Sequence, residues 1–357
     1  MPFTVAQRNT AIGSPISNPQ PLNDTYRILI VGPSWVGDMV MAQSLFMALK
    51  QRHAHCSIDV LAPAWSLALI ECMPEVRKAI VMPFGHGQFD FKGRKALAKT
   101  LRSEGYDQAI VLPNSWKSAL IPYFSNIPKR TGYIGEARWG LLNDARKLEK
   151  KLLTKTVQRF VALADKPSNQ IPVIPQPRLL VNPASVDTAK STFELGESDS
   201  KVLGLCPGAE YGPAKRWPER HYAEVAKQAL NKGWQVFLFG STKDVVVSAS
   251  INKITGGRCQ DVAGKTSLTE ALDLMSLCDV VVSNDSGLMH VAAALNIKTI
   301  AVYGSSDPNF TPPLHDDAEV ITLGLSCSPC FKRECPLGHL DCLTKISAES
   351  VIKLTSI

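Results

Sequence analysis

Asp279-Val-Val-Val-Ser-Asn-Asp-Ser-Gly-Leu-Met-His290-Val-Ala-Ala-Ala-Leu295 decides how this chain is read. A run of β-branched residues ends in a polar, glycine-containing turn and passes directly into an apolar helical segment. In such a junction the first backbone N–H groups of the helix have no partner within it. They point into the turn, and the helix dipole favours an anion there. Asp285, Ser286, Gly287 and His290 are thereby placed to hold a phosphorylated ligand. The same residues also suit an ordinary βα turn capped by serine, so this turn alone leaves both readings open.

The pattern recurs on either side. Tyr26-Arg-Ile-Leu-Ile-Val31 is an apolar run closed by Gly32-Pro33, which reads as a buried strand, and Gly37 to Lys50 follows a helical period. Residues 57–61, 79–82 and 108–112 read as further strands, with helical segments near 65–72, 93–104 and 115–125. Residues 166–184 contain five prolines and read as a linker. Beyond it the alternation restarts, with strands at 202–206, 235–239, 280–283 and 299–303 and helices near 218–231, 243–254, 267–277 and 286–295. Pro218 suits the first turn of its helix. Strand–helix alternation predicts an α/β chain of two similar halves, each a parallel sheet with helices on both faces. Ligands in such sheets lie beyond the carboxyl ends of the strands, so the expected site is a cleft between the halves.

Size and composition agree. At 357 residues, 45% hydrophobic and 20% charged, the chain is long enough for two globular domains. No apolar run reaches the roughly 18 residues that a membrane span needs. Residues 1–25 lack the apolar core of a signal peptide and are expected to form a flexible tail, with the chain in the cytoplasm. The net charge of +7 is uneven. Residues 1–160 carry 21 Lys and Arg against 11 Asp and Glu, a net +10, whereas residues 161–357 carry 18 against 21, a net −3. A basic first half suggests an acidic partner, such as nucleic acid or an anionic membrane surface. No helix-turn-helix, zinc-finger or RNP pattern supports nucleic acid.

Four segments carry chemistry. Gly32-Pro-Ser-Trp-Val-Gly-Asp38 is not a G-x-G-x-x-G fingerprint, but it puts a carboxylate at the cleft mouth. Asp38 there can accept a proton from an attacking hydroxyl, or can serve as a first-turn helix charge. Cys206-Pro-Gly208-Ala209-Glu-Tyr-Gly-Pro-Ala-Lys215-Arg216 lacks a Walker A ending. Its small residues nevertheless admit a ligand close to the backbone, and its cations can neutralise a diphosphate. Phe239-Gly-Ser-Thr-Lys-Asp244 offers a carboxylate for ribose hydroxyls or for a helix cap. Cys327, Cys330, Cys335 and Cys342 surround His339. They could hold zinc or an iron–sulfur cluster, form a disulfide, or stay inert thiols, and their spacing fits no common metal template well. Arg94, Lys95, Lys99 and Arg102 share a helical face. Trp116, Tyr123 and Phe124 lie near Lys117, Lys129 and Arg130, a mixture suited to a membrane interface or to a core edge.

Together RILIVGPSWVGDMVMAQSL, PGAEYGPAKRWP, VSNDSGLMHVAAAL and CSPCFKRECPLGHLDC resemble the bacterial lipopolysaccharide heptosyltransferases of glycosyltransferase family 9, over roughly residues 26–350. The last two motifs look most like the members that add the second core heptose. The resemblance implies a GT-B fold: an acceptor-binding Rossmann-like domain at 26–165, the 166–184 linker, and an ADP-heptose-binding Rossmann-like domain at 185–357. It implies inverting, metal-independent transfer of L-glycero-D-manno-heptose from ADP-heptose to the first heptose of a Kdo-lipid A precursor, at the inner face of the cytoplasmic membrane. No cofactor is implied, since ADP-heptose is the donor substrate. By resemblance Asp38 is the general base and Lys215 contacts the diphosphate. Gly208, Ala209, Asp244, Asp285, Ser286, Gly287 and His290 line the donor site, with Asp244 the weakest transfer. The basic half would face the acidic acceptor and its membrane, peripherally. Two other classes fit parts of the pattern: a nucleotide-sugar epimerase or hydrolase of the same fold, and a metal or redox protein built on the cysteines.

Overall fold

A computed structural model of the chain describes residues 25–85, 88–196 and 198–357. The expected tail, apart from Thr25, lies outside the described residues. The first half runs β1 (Arg27–Val31), α1 (Val36–Arg52), β2 (Ser57–Pro63), α2 (Leu67–Glu71), β3 (Val76–Met82), α3 (Phe91–Leu101), β4 (Gln108–Val111), α4 (Leu120–Phe124), β5 (Lys129–Tyr133), β6 (Asp144–Arg146) and α5 (Thr156–Val161). After the proline-rich segment come α6 (Pro183–Thr192), β7 (Val202–Cys206), α7 (Glu219–Asn231), β8 (Gln235–Leu238), α8 (Val245–Ile254), β9 (Gln260–Asp261) and α9 (Leu268–Met275). The chain ends with β10 (Val280–Asn284), α10 (Gly287–Ala294), β11 (Lys298–Val302), β12 (Glu319–Ile321), α11 (Asp341–Thr344) and α12 (Ala348–Thr355).

Each half is a six-stranded parallel sheet, in the orders β3-β2-β1-β4-β5-β6 and β12-β11-β10-β7-β8-β9. Counted from its own first strand, the second order is the first one reversed, so both halves are doubly wound in the same way. The order reverses between β1 and β4, and again between β7 and β10. Loops at those strand ends diverge and leave a crevice. The central strands are buried on both faces, which explains why RILIV, VLGLC and VVVSN read as continuous apolar runs.

The halves meet through helix α1. Met39, Val40, Met41, Ala42, Leu45, Phe46, Ala48 and Leu49 are all buried, and so are Gln43 and Ser44. A helix buried on nearly every side needs partners on every side. One flank lies on the first sheet, another meets α10 of the second half, and a third meets the proline-rich segment. Gln43 exchanges two hydrogen bonds with the backbone of Arg178, at 2.6 and 2.9 Å, and Ser44 donates to the Pro175 carbonyl. Leu179 N–H donates to Ala294 O in the second half and Leu180 N–H to Cys72 O in the first. Residues 175–180 are thus seated against both halves. Asn182 caps α6 and Pro183 opens it, so a helix starts inside the stretch read as linker.

Two further readings change. Pro218 stands at the cap position just before α7, not within its first turn. Arg94 does not share the exposed face of Lys95 and Lys99: it is buried, its guanidinium 4.7 Å from the Phe84 ring centroid and donating to the Gln88 carbonyl. Among the described residues no helix is long and apolar enough to cross a membrane.

Candidate active site

The loops after β1, β7, β8 and β10 open into one cleft of about 600 Å³ between the halves. Asp38 from the first half and Gly208, Ala209, Lys215, Asp244, Asp285, Ser286, Gly287 and His290 from the second all line it. The sequence-predicted residues therefore converge on one space, although they span more than two hundred positions.

Close approach of two helix starts builds the centre of the cleft. A Cβ on Gly37, in the first turn of α1, would fall 2.6 Å from His290 Cδ2. A Cβ on Gly287, which opens α10, would fall 2.7 Å from Val36 Cβ. Only glycine at both points lets the helices touch end to end. Neither N-cap, Trp35 or Ser286, makes a side-chain capping bond. The amide ends of both helices therefore remain available to an anion in the cleft.

Charges are arranged around that point. The Lys215 ammonium donates to Asp285 Oδ2, in an ion pair that is mostly buried. The same ammonium lies 5.1 Å from the Tyr211 ring centroid. Asp38 faces this pair from the first half. Burial pushes its carboxyl up to about 6, Lys215 pulls it down and the Asp285 charge pushes it up further. His290 is buried, and desolvation holds its imidazole down at about 4 against the opposing pull of Asp285, so it is neutral at pH 7. A carboxylate poised near 6 can take a proton from a hydroxyl and still be ionised at neutral pH.

Asp244 does two things. Its Oδ2 accepts hydrogen bonds from Ser241 N–H at 2.9 Å and Ser241 Oγ at 2.8 Å, closing a capping box before α8. Its Oδ1 is 3.7 Å from Arg216 Nη2. A Cβ on Gly208 would come 2.3 Å from the Asp244 carboxyl carbon, so glycine there seats the β7 loop against it.

Sequence reasoning missed Asn284. Fully buried at the end of β10, it accepts from Trp217 N–H and Tyr222 O–H, both at 2.9 Å. It donates to the Pro207 carbonyl at 2.7 Å. One side chain thus fastens the Lys215 loop to the strand that delivers Asp285. The only sequence signal was a polar residue ending an apolar run. Trp35 and Trp65 also line the cleft, largely exposed, at its first-half wall. The cysteine motif lines a separate small cavity: Cys327, Cys330, Cys335 and Cys342 are free thiols around it, with His339.

Two doubly wound sheets whose switch points face each other across an anion-ready cleft have the architecture of the GT-B glycosyltransferases. The chain belongs to glycosyltransferase family 9, the heptosyltransferases, whose model matches residues 94–341. It is 48% identical over 337 residues to lipopolysaccharide heptosyltransferase 2 of Salmonella typhimurium, covering 92% of this chain and 97% of that one. It is 50% identical over 310 residues to lipooligosaccharide heptosyltransferase 2 of Haemophilus influenzae, covering 83% and 88%. The solved ADP-heptose LPS heptosyltransferase II of E. coli superposes with a TM-score of 0.81 at 44% identity, over 92% of this chain and 97% of that one.

Proposed function

We propose that this chain transfers a heptose from ADP-heptose to the first heptose of the lipopolysaccharide inner core, on a Kdo-lipid A precursor. The heptosyltransferase 2 relatives support that donor and acceptor class. In this reading the second half, 185–357, takes ADP-heptose, and the first, 26–165, takes the acceptor.

The chemistry is an inverting displacement. Asp38 removes the proton from the acceptor hydroxyl. The hydroxyl oxygen attacks the anomeric carbon from the face opposite the diphosphate. The bond from that carbon to the phosphate oxygen breaks, and its electron pair leaves with ADP. Lys215 and the two open helix ends offset the charge that builds on the departing diphosphate. That task needs no metal ion at the phosphates. Asp285 holds Lys215 in place before substrate arrives and lies where the sugar would sit. Gly208, Ala209, Ser286, Gly287 and neutral His290 shape the donor wall, and Asp244 reaches the ribose.

One observation carries the proposal: a carboxylate raised to about 6 in the first turn of α1, itself uncapped, faces a mostly buried lysine and the uncapped start of α10 on the other wall. Peripheral contact with the inner membrane, from the cytoplasmic side, follows from the basic first half. Phe89, Phe91, Trp116 and Tyr123 are exposed there beside Lys92, Lys95 and Lys129.

Product analysis tests the reaction. ADP-heptose is incubated with and without a truncated acceptor bearing one heptose, in excess EDTA. The expected products are ADP and an acceptor one heptose heavier, formed at the same rate without chelator. Free heptose, or an epimerised sugar nucleotide formed without acceptor, would reject the transfer reading. Loss of turnover that returns only with added magnesium or manganese, and not with zinc or ferrous iron, would reject metal-free chemistry.

A further inference from the structure

Heptosyl transfer leaves the cysteine motif without a task. Cys327, Cys330, Cys335 and Cys342 border one cavity of about 20 Å³. That is room for a single ion-sized occupant. Four soft sulfur donors and the His339 ring line it, and no carboxylate does.

The backbone turns tightly between Cys335 and Cys342, with Gly338 at φ +74° and Leu340 at φ +52°. Gly338 N–H donates to the Cys335 carbonyl at 3.1 Å.

The motif is also stitched to the loop that carries Lys215. Ala214 N–H donates to the Arg333 carbonyl at 3.0 Å, and Tyr211 O–H donates to the Phe331 carbonyl at 2.8 Å. A Cβ on Gly212 would fall 2.5 Å from that Arg333 oxygen. Ala214 itself lines the thiol cavity.

We propose that Cys327, Cys330, Cys335 and Cys342 form a tetrathiolate site for one soft divalent cation, zinc or ferrous iron, which fixes the loop bearing Lys215. Tetrahedral sulfur sites suit those two ions, and closed four-sulfur shells are structural, not catalytic. Among the described residues no group of three or more His, Cys, Asp or Glu side chains is already arranged to hold an ion. Binding therefore includes a closing step, in which the thiols rotate inward and release their protons to solvent. The cation lies behind the loop and takes no part in the displacement.

The test uses the full chain, purified without added metal or chelator. Elemental analysis is expected to find one zinc or iron per chain, and which of the two is read directly. A mercurial reagent is expected to release it and to expose four further thiols to titration. Cys330→Ser/Cys335→Ser is expected to lose the ion and to weaken ADP binding about tenfold, as losses around a metal site do. If that variant does not fold, chain unfolded in chelator and refolded with cobalt(II) is expected to show thiolate-to-cobalt charge transfer. Metal-free protein whose four thiols titrate freely and which gives no cobalt spectrum would overturn the site. So would a disulfide among the four in the intact mass. Metal loss with unchanged ADP affinity would overturn its role in fixing the loop. Metal content does not depend on the heptosyl reading; only the ADP arm does.

Discussion

Asp38 and His290 share a cleft, and burial moves them in opposite directions for one reason. A low-dielectric wall disfavours whichever form is charged, so the carboxyl rises to about 6 and the imidazole falls to about 4. The consequences for stability differ in sign. Between pH 6.5 and 4 the unfolded chain protonates its histidine while the folded chain does not, so stability from His290 is present above 6.5 and is lost as pH falls. For Asp38 the folded state holds its proton more tightly, and stability is lost as pH rises through about 6. Urea unfolding of the wild type and His290→Gln, from pH 7 to 4.5, isolates the first effect because other carboxylates act in both. The wild type is expected to lose about 2–3 kcal/mol more than the variant over that span. Parallel curves would show that His290 titrates as a solvated imidazole.

The contact between α1 and α10 sets how the two walls face each other. Gly37→Ala and Gly287→Ala each put a methyl group where His290 or Val36 already stands. Each is expected to cost about 1–3 kcal/mol of stability by overpacking, and to raise the ADP Kd. Gly196, which has open space around it, serves as the control, and Gly196→Ala is expected to be neutral in both. Calorimetric Tm and ADP titration check this, and a silent Gly37→Ala would mean that the helices do not meet as described. That contact was not legible in the sequence. Central strands were legible, because burial on both faces makes them continuous apolar runs ending in glycine turns. The edge strands DAR, QD and EVI, and KRTGY next to one edge, were not, being short, polar in part and without periodicity. Pro183 read as linker because proline marks both loops and first helical turns. Each candidate site residue could be placed at a strand end. Their mutual facing could not, since it depends on α1 packing across the halves. Nor could Asn284 be recognised as a fastening point, because a single buried amide leaves no pattern in a sequence.

At the level of the molecule, the halves share a hydrophobic cluster that runs from α1 through α10, with residues 175–180 seated against both. Further contact comes from Thr156 N–H, which donates to Phe310 O at 3.0 Å, and from Arg159, stacked 4.8 Å from that ring. These joints hold Asp38 of the first half against the Lys215–Asp285 pair of the second, in the proposed reading a proton acceptor facing a diphosphate grip. Glycosyl transfer requires that pairing, and the two functions can be separated experimentally. Asp38→Asn keeps the size of the side chain, removes the proposed base and leaves Lys215, Asp285 and the helix ends in place. The most direct measurement is single-turnover transfer by the wild type and Asp38→Asn, from pH 5 to 8, alongside titration of ADP-heptose binding. The expected result is a variant that binds ADP-heptose as the wild type does yet transfers about 10²–10⁴ times more slowly, together with a wild-type rate that falls off below about pH 6. A variant with wild-type turnover, or a wild-type rate indifferent to pH across that range, would contradict the assignment of Asp38 as the base and with it the division of labour between the halves.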